Sequence, residues 1–148
     1  MEVEKIIQTK VNMPLPSRTA IHLSLVCQSV KERMNLAMES MDTTLQHFNV
    51  LRILRGQKGS PINLSGINSR MVTKMSNTSR IVDKLMKKGQ VERTLCPNNR
   101  REVEIRITDK GLRDLEQMSV IVHQTEQAIF KNFEKEDLVQ LNQLLDKF

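Results

Sequence analysis

Ser76, Asn77, Ser79, Arg80 and Lys84 lie in one stretch that is free of Gly and Pro as far as Gly89. At helical spacing Ser76, Asn77, Arg80 and Lys84 come close together on one face. Asn pairs bidentately with adenine and Arg with guanine, each contributing roughly 1–3 kcal/mol of discrimination between bases. Hydroxyls and Lys more often meet phosphate, which positions a protein on a duplex and carries little sequence information. A second polar cluster, Asn98, Asn99, Arg100 and Arg101, sits between two β-prone runs. Arg at a hairpin tip suits a narrow, electronegative minor groove. The chemistry on offer is readout of a duplex by hydrogen bonds and charge.

Charge points the same way. Between Arg70 and Arg101 there are nine Lys or Arg against two acids, Asp83 and Glu92, which leaves fourteen basic and fifteen acidic residues for the remainder. Essentially the whole formal charge of +6 therefore resides in this segment. A solvated basic face accounts for many charge runs, and Arg80 has the bland option of an ion pair with Asp83 at i+3, worth under about 1 kcal/mol. Here the cations fall on the exposed helix face and on the hairpin, where a phosphate backbone is met. Double-stranded DNA is the expected partner.

Catalytic chemistry finds no such constellation. His22, His47 and His123 are scattered along apparent helices, without Ser or Cys partners at motif spacing. Gly56 and Gly59 belong to a turn, and there is no Gly-rich phosphate loop or metal-ligand cluster, so neither enzyme activity nor a cofactor is expected. Cys27 and Cys96 have no metal or disulfide-framework spacing, which suits a reducing cytoplasm. Cys27, on an apolar-rich helix, reads as a buried inert thiol. Cys96 lies near Arg93 and Arg100, where positive charge favours thiolate. No run approaches the roughly 20 apolar residues that span a bilayer, and the acidic start MEVEKIIQTK is not a secretory signal.

The elements that must position these residues follow from periodicity. In MSNTSRIVDKLMKK, Thr78, Ile81, Val82 and Leu85 mark the buried face of a helix, and Gly89 ends it. Runs 90–95 and 102–107 form a hairpin, with Val103, Ile105 and Ile107 alternating with Glu104 and Arg106. Upstream, residues 1–16 read as an arm with a helical turn near Val3. Ser17 caps a long, Met-rich helix with apolar positions from Ile21 to Met41. The Asp42-Thr43-Thr44 break offers a new cap for a helix over 45–54 that buries Phe48 and Leu51. Residues 55–61 are a loop, and Asn63 caps a short helix with Ile67 and Met71 inward. A long helix with Leu112, Leu115, Met118, Val122 and Ile129 and a shorter one with Leu138, Leu141 and Leu145 end the chain. The layout is a winged helix-turn-helix, mainly α with a small β-hairpin wing, flanked by terminal helices whose apolar stripes fit a homodimer.

The segment from Asn63 to Gly111 resembles the MarR family (multiple antibiotic resistance regulators). The resemblance rests on Ser79-Arg80-Ile81-Val82-Asp83-Lys84-Leu85, Lys88-Gly89-Gln90-Val91-Glu92-Arg93, Asn99-Arg100-Arg101 and Ile107-Thr108-Asp109-Lys110-Gly111, in that order and spacing. His47-Phe48-Asn49-Val50-Leu51 suits the family's second helix. The resemblance implies one domain: an N-terminal arm and dimerisation helix over 1–44, a DNA-binding region over 45–107, and C-terminal dimerisation helices over 108–148. It implies a homodimer on a pseudo-palindromic operator, with Ser76, Asn77, Ser79 and Arg80 facing bases or phosphates and Lys84 on the backbone. Asn98, Arg100 and Arg101 would belong to the wing, with Arg70 and Lys74 near the DNA backbone. It also implies a repressor released by a small aromatic or anionic ligand bound between dimerisation helices and DNA-reading module. Two positions depart from the pattern: Asn99 where the family's wing usually has Asp, and Asn68 where a small Ala is usual. Some relatives sense peroxide through a Cys early in the first long helix, a position nearer Ala20 than Cys27. A thiol switch at Cys96 or Cys27, and a winged helix that binds protein, are the alternative functions.

Overall fold

The computed structural model describes residues 2–72, 77–96 and 99–148, with the backbone alone for Cys96 and residues 99–102. The chain order is α1 (Val3–Ile6), α2 (Leu15–Glu39), α3 (Leu45–Gly56), α4 (Leu64–Arg70), α5 (Thr78–Lys87), β1 (Val91–Cys96), β2 (Asn99–Ile107), α6 (Asp109–Ile129) and α7 (Lys135–Leu145). Among the described residues no helix is long and apolar enough to cross a membrane. The expected mainly α fold with a two-stranded wing is the observed one.

The core forms where the apolar faces of α3, α5, α6, β2 and the end of α2 meet. Met38, Leu51, Leu54, Ile67, Val82, Leu85, Ile105, Leu115 and Met118 are among its buried members. Helix α3 is the central element and touches α2, α4, α5, α6 and β2. Helices α2 and α6 pack along each other, and the Arg33 guanidinium reaches across to the Ala128 carbonyl at 3.2 Å.

Caps set most of the boundaries. Thr44 caps α3, Asn63 caps α4 by accepting from the Gly66 amide at 2.8 Å, and Thr108 caps α6 by accepting from the Gly111 amide at 3.0 Å. Ser17 does not cap α2. Pro14 is the capping residue and Pro16 lies inside the first turn, where a missing N–H removes only a donor that has no helical partner. Gln8, at φ 54°, lies in the break between α1 and α2. Glu4 and Arg18 tie arm to helix with a 2.6 Å ion pair.

The hairpin pairs Val91 with Ile107 through Leu95 with Val103. Its strands reach further than the expected 90–95 and 102–107, so Arg100 and Arg101 belong to the start of β2 and not to the connecting loop. The register breaks between Leu95 and Cys96, whose partner is Asn99. Arg100, Arg101 and Glu102 are thus the surplus residues of a bulge, a feature that bends a strand and re-aims what it carries. Ile62, which sequence placed beside a loop, pairs with Ile105 through two backbone hydrogen bonds of 3.2 and 2.9 Å. That bridge ties the wing to the start of α4.

Candidate nucleic-acid interface

Helix α5 is built to be held from one side. Thr78, Ile81, Val82 and Leu85 are all buried, as the 3.6-residue period demands. The Thr78 hydroxyl donates to Asn68 Oδ1 at 3.0 Å, so Asn68 on α4 has a polar partner on the following helix. Gly66 fits the same junction: a Cβ there would stand 2.6 Å from Ile62 Cγ1. Gly89, at φ 68°, ends the helix in the left-handed conformation that glycine tolerates.

The opposite face of α5 presents Ser79, Arg80, Asp83 and Lys84 to solvent. Asp83 does not take Arg80. It pairs instead with Arg93 of β1 at 3.4 Å, bracing the wing against the helix. Among the described residues no carboxylate pairs with Arg80. Asn77, expected on the exposed face, is half-buried at the helix start, and its Oδ1 is buried with no partner among the described residues. Arg70 is exposed at the end of α4, with its guanidinium on the Gly66 carbonyl at 2.9 Å. Lys74, Ser76 and Asn98 lie outside the described residues, as do the side chains of Arg100, Arg101, Asn99 and Cys96. What the fold brings together is therefore Ser79, Arg80 and Lys84 on one face, with the β2 bulge carrying Arg100 and Arg101 beyond the Asp83–Arg93 brace.

A MarR family model matches residues 43–103. The multiple antibiotic resistance protein MarR of Escherichia coli (strain K12) is 30% identical over 138 residues, covering 92% of each chain. The chain belongs to the MarR family. The HTH-type transcriptional repressor IacR of Pseudomonas putida is 27% identical over 115 residues, 78% of this chain and 68% of IacR. Among solved structures, a cysteine-to-serine mutant of E. coli MarR complexed with operator DNA superposes with a TM-score of 0.75 at 26% identity, covering 99% of this chain and 98% of that one. The protein is accordingly a MarR-family transcriptional regulator.

Two features of this MarR-family chain escaped the sequence reading. Cys27 is an exposed, free thiol, not a buried one. The second is polar and lies beside α5. His47 is buried at the start of α3, its Nδ1 2.7 Å from the Thr44 hydroxyl oxygen, and it faces Lys84 and Lys88. The spacing Thr44 to His47, one cap to its third residue, was the available sign.

Burial holds the His47 pKa below its ordinary value of 6.5, and Lys84 and Lys88 push it further down against the opposing pull of Asp42. The folded protein thus takes up this proton at lower pH than the unfolded chain does. The stability that His47 contributes is complete above the unfolded pKa and is lost as pH falls through it toward the folded value. Urea denaturation is expected to show a falling midpoint from about pH 7 to about pH 5, the range in which an unfolded His charges. His47→Gln should flatten that limb. It should leave the loss at lower pH, where Asp42, held low by Lys88, and Glu4, held low by Arg18, become protonated. An unchanged slope in His47→Gln would assign the dependence elsewhere.

Proposed function

We propose that this MarR-family protein binds a pseudo-palindromic operator as a homodimer and represses transcription in the cytoplasm. Regulation works by binding and not by catalysis. The supporting observation is the exposed row Ser79, Arg80 and Lys84 on a helix whose other face is buried, beside a bulged hairpin carrying Arg100 and Arg101. Ser76, Asn77, Ser79 and Arg80 meet base edges and phosphates in the major groove, Lys84 meets the backbone, and Arg70 and Lys74 flank it. Asn98, Arg100 and Arg101 enter the adjoining minor groove.

Dimerisation uses residues 1–44 and 108–148. Helix α7 has no buried residue, and Val139, Leu144, Leu145 and Phe148 are exposed on the end of the chain. Ile6, Val11, Leu15, Leu23 and Val26 are exposed on the arm and α2. Apolar area of this kind at both termini favours a two-fold contact between copies. Deleting residues 132–148 should convert a dimer at micromolar concentration to a monomer or an aggregate, as read by sedimentation. A parent that is monomeric, and indifferent to the deletion, would remove the two-fold basis for a palindromic site.

A small aromatic or anionic effector fits the cleft of about 370 Å³ between α2, α3 and α6. Met34, Leu45, Phe48, Met71 and Val122 form its apolar walls. Lys31 and Arg52 at its rim provide cationic anchors that the Met-rich sequence did not announce. The functional test is selection of bound fragments from random duplex DNA. Two inverted half-sites about one helical turn or a multiple apart are expected. Enrichment of a single half-site, or binding without salt dependence, would overturn the proposal.

A further inference from the structure

Gln90 stands where the reading helix, the wing and α6 meet. It follows Gly89, precedes β1 at Val91, and is buried, with 4% of its surface exposed. Its amide donates to the Leu85 carbonyl of α5 at 2.9 Å, and its carbonyl accepts from the amide of Thr108, the cap of α6, at 3.1 Å. The side chain then reaches the second turn of α6, where Nε2 donates to Asp114 Oδ2 at 2.8 Å. We propose that Gln90 and Asp114 are a positioning pair that fixes the angle of the DNA-reading module on α6, and thereby the half-site separation that the dimer accepts. The inference rests on the homodimer proposed above.

Three observations carry it. First, packing alone would not place this pair here. Gln90 Oε1 is buried with no hydrogen-bond partner among the described residues, whereas an apolar side chain of the same length would leave no orphan. Buried polar groups kept at such a cost are best known for fixing how elements sit relative to one another. Second, the acceptor is itself anchored, since Lys110 Nζ lies 2.6 Å from the same Asp114 oxygen. A hydrogen bond to a charged, held acceptor is directional. Gly111, which lies against the Gln90 carbonyl, sets how close α6 comes; the Gln90–Asp114 bond sets the direction. Third, α6 makes a lever of the junction. From Asp114 to its end at Ile129 it runs about 22 Å, at 1.5 Å per residue. Near that end Arg33 of α2 meets the Ala128 carbonyl, and α7 with its exposed apolar residues follows. A turn of the module by about 10° at Gln90 displaces it by about 4 Å relative to that end, close to the rise of about one base pair.

The test uses duplexes built from the half-site that selection recovers. Full-length parent and variants are titrated on the inverted pair at the parent's preferred separation, at one base pair more, at one fewer, and on a single half-site. The parent should lose about tenfold in affinity when the separation changes by one base pair, the scale of one hydrogen bond to a charged group. Gln90→Met keeps length and burial and leaves Asp114 its Lys110 partner, so urea unfolding should show stability equal to the parent's or above it. Gln90→Met and Asp114→Ala should lose less than about threefold for the same change, with single half-site affinity unaltered. Asp114→Asn keeps an acceptor oxygen for Gln90 and should retain the parent's dependence on separation. A Gln90→Met protein with the parent's dependence, or one weakened equally on single half-sites and full sites, would overturn the pair's role alone. A parent indifferent to separation would overturn it together with the homodimer reading.

Discussion

Gly111→Ala is expected to lower the free energy of unfolding by about 3 kcal/mol, the upper part of the range for overpacking a tight core. Gly111 is buried in the first turn of α6, at a spot where no side chain fits. An added Cβ would stand 2.1 Å from the Gln90 carbonyl oxygen and 2.8 Å from Ile107 Cγ1. The carbonyl cannot retreat cheaply. It accepts from the Thr108 amide at 3.1 Å, while the Gln90 amide is held by the Leu85 carbonyl at 2.9 Å and the Thr108 hydroxyl by the Gly89 carbonyl at 2.7 Å. One atom thus strains the junction of α5, the wing and α6 together, and operator affinity should fall in parallel because the wing is re-aimed. Gly56→Ala is the control: a Cβ there meets nothing within 4 Å, so stability should be unchanged or rise by up to about 1 kcal/mol, as a helical Gly→Ala change allows. Melting and urea curves of the two variants decide the matter. A Gly111→Ala protein as stable as its Gly56→Ala counterpart would mean that the α6 start has room the geometry denies it.

Arg80→Ala should cost roughly 1–3 kcal/mol of specific binding and narrow the gap to non-specific DNA, as loss of a base contact does. The prediction follows from the side chain's freedom. Its natural intrachain partner, Asp83, is engaged by Arg93 at 3.4 Å, so removing Arg80 breaks no ion pair among the described residues. Stability should therefore stay within about 0.5 kcal/mol of the parent, as for surface substitutions generally. Lys84→Ala should instead weaken all sequences alike and reduce the slope of log K against log salt by about 1. A folded Arg80→Ala protein that binds its selected operator as tightly as the parent would show that this helix face does not read bases.

The sequence determined what depends on neighbours along the chain. The apolar spacing of Thr78, Ile81, Val82 and Leu85 requires a helix buried on one side, and all four are buried. Thr44, Asn63 and Thr108 cap the helices they precede, since a cap acts over three residues. Alternation at Val103, Ile105 and Ile107 required a strand, and the family motifs run through these same local segments. Only the tertiary structure decided which distant groups meet. Asp83 chooses Arg93 over the Arg80 three residues away, because the wing folds back onto α5. Ile62 completes a bridge with Ile105, and Gly111 meets the Gln90 carbonyl. Cys27 is exposed although its surroundings are apolar, because burial depends on whether another element arrives to cover a face. His47 and Thr43 acquire three lysines from a helix some forty residues further on. Periodicity specifies which face of an element is apolar; the partner of each polar group is fixed by long-range packing, where separation along the chain gives no measure of distance in space.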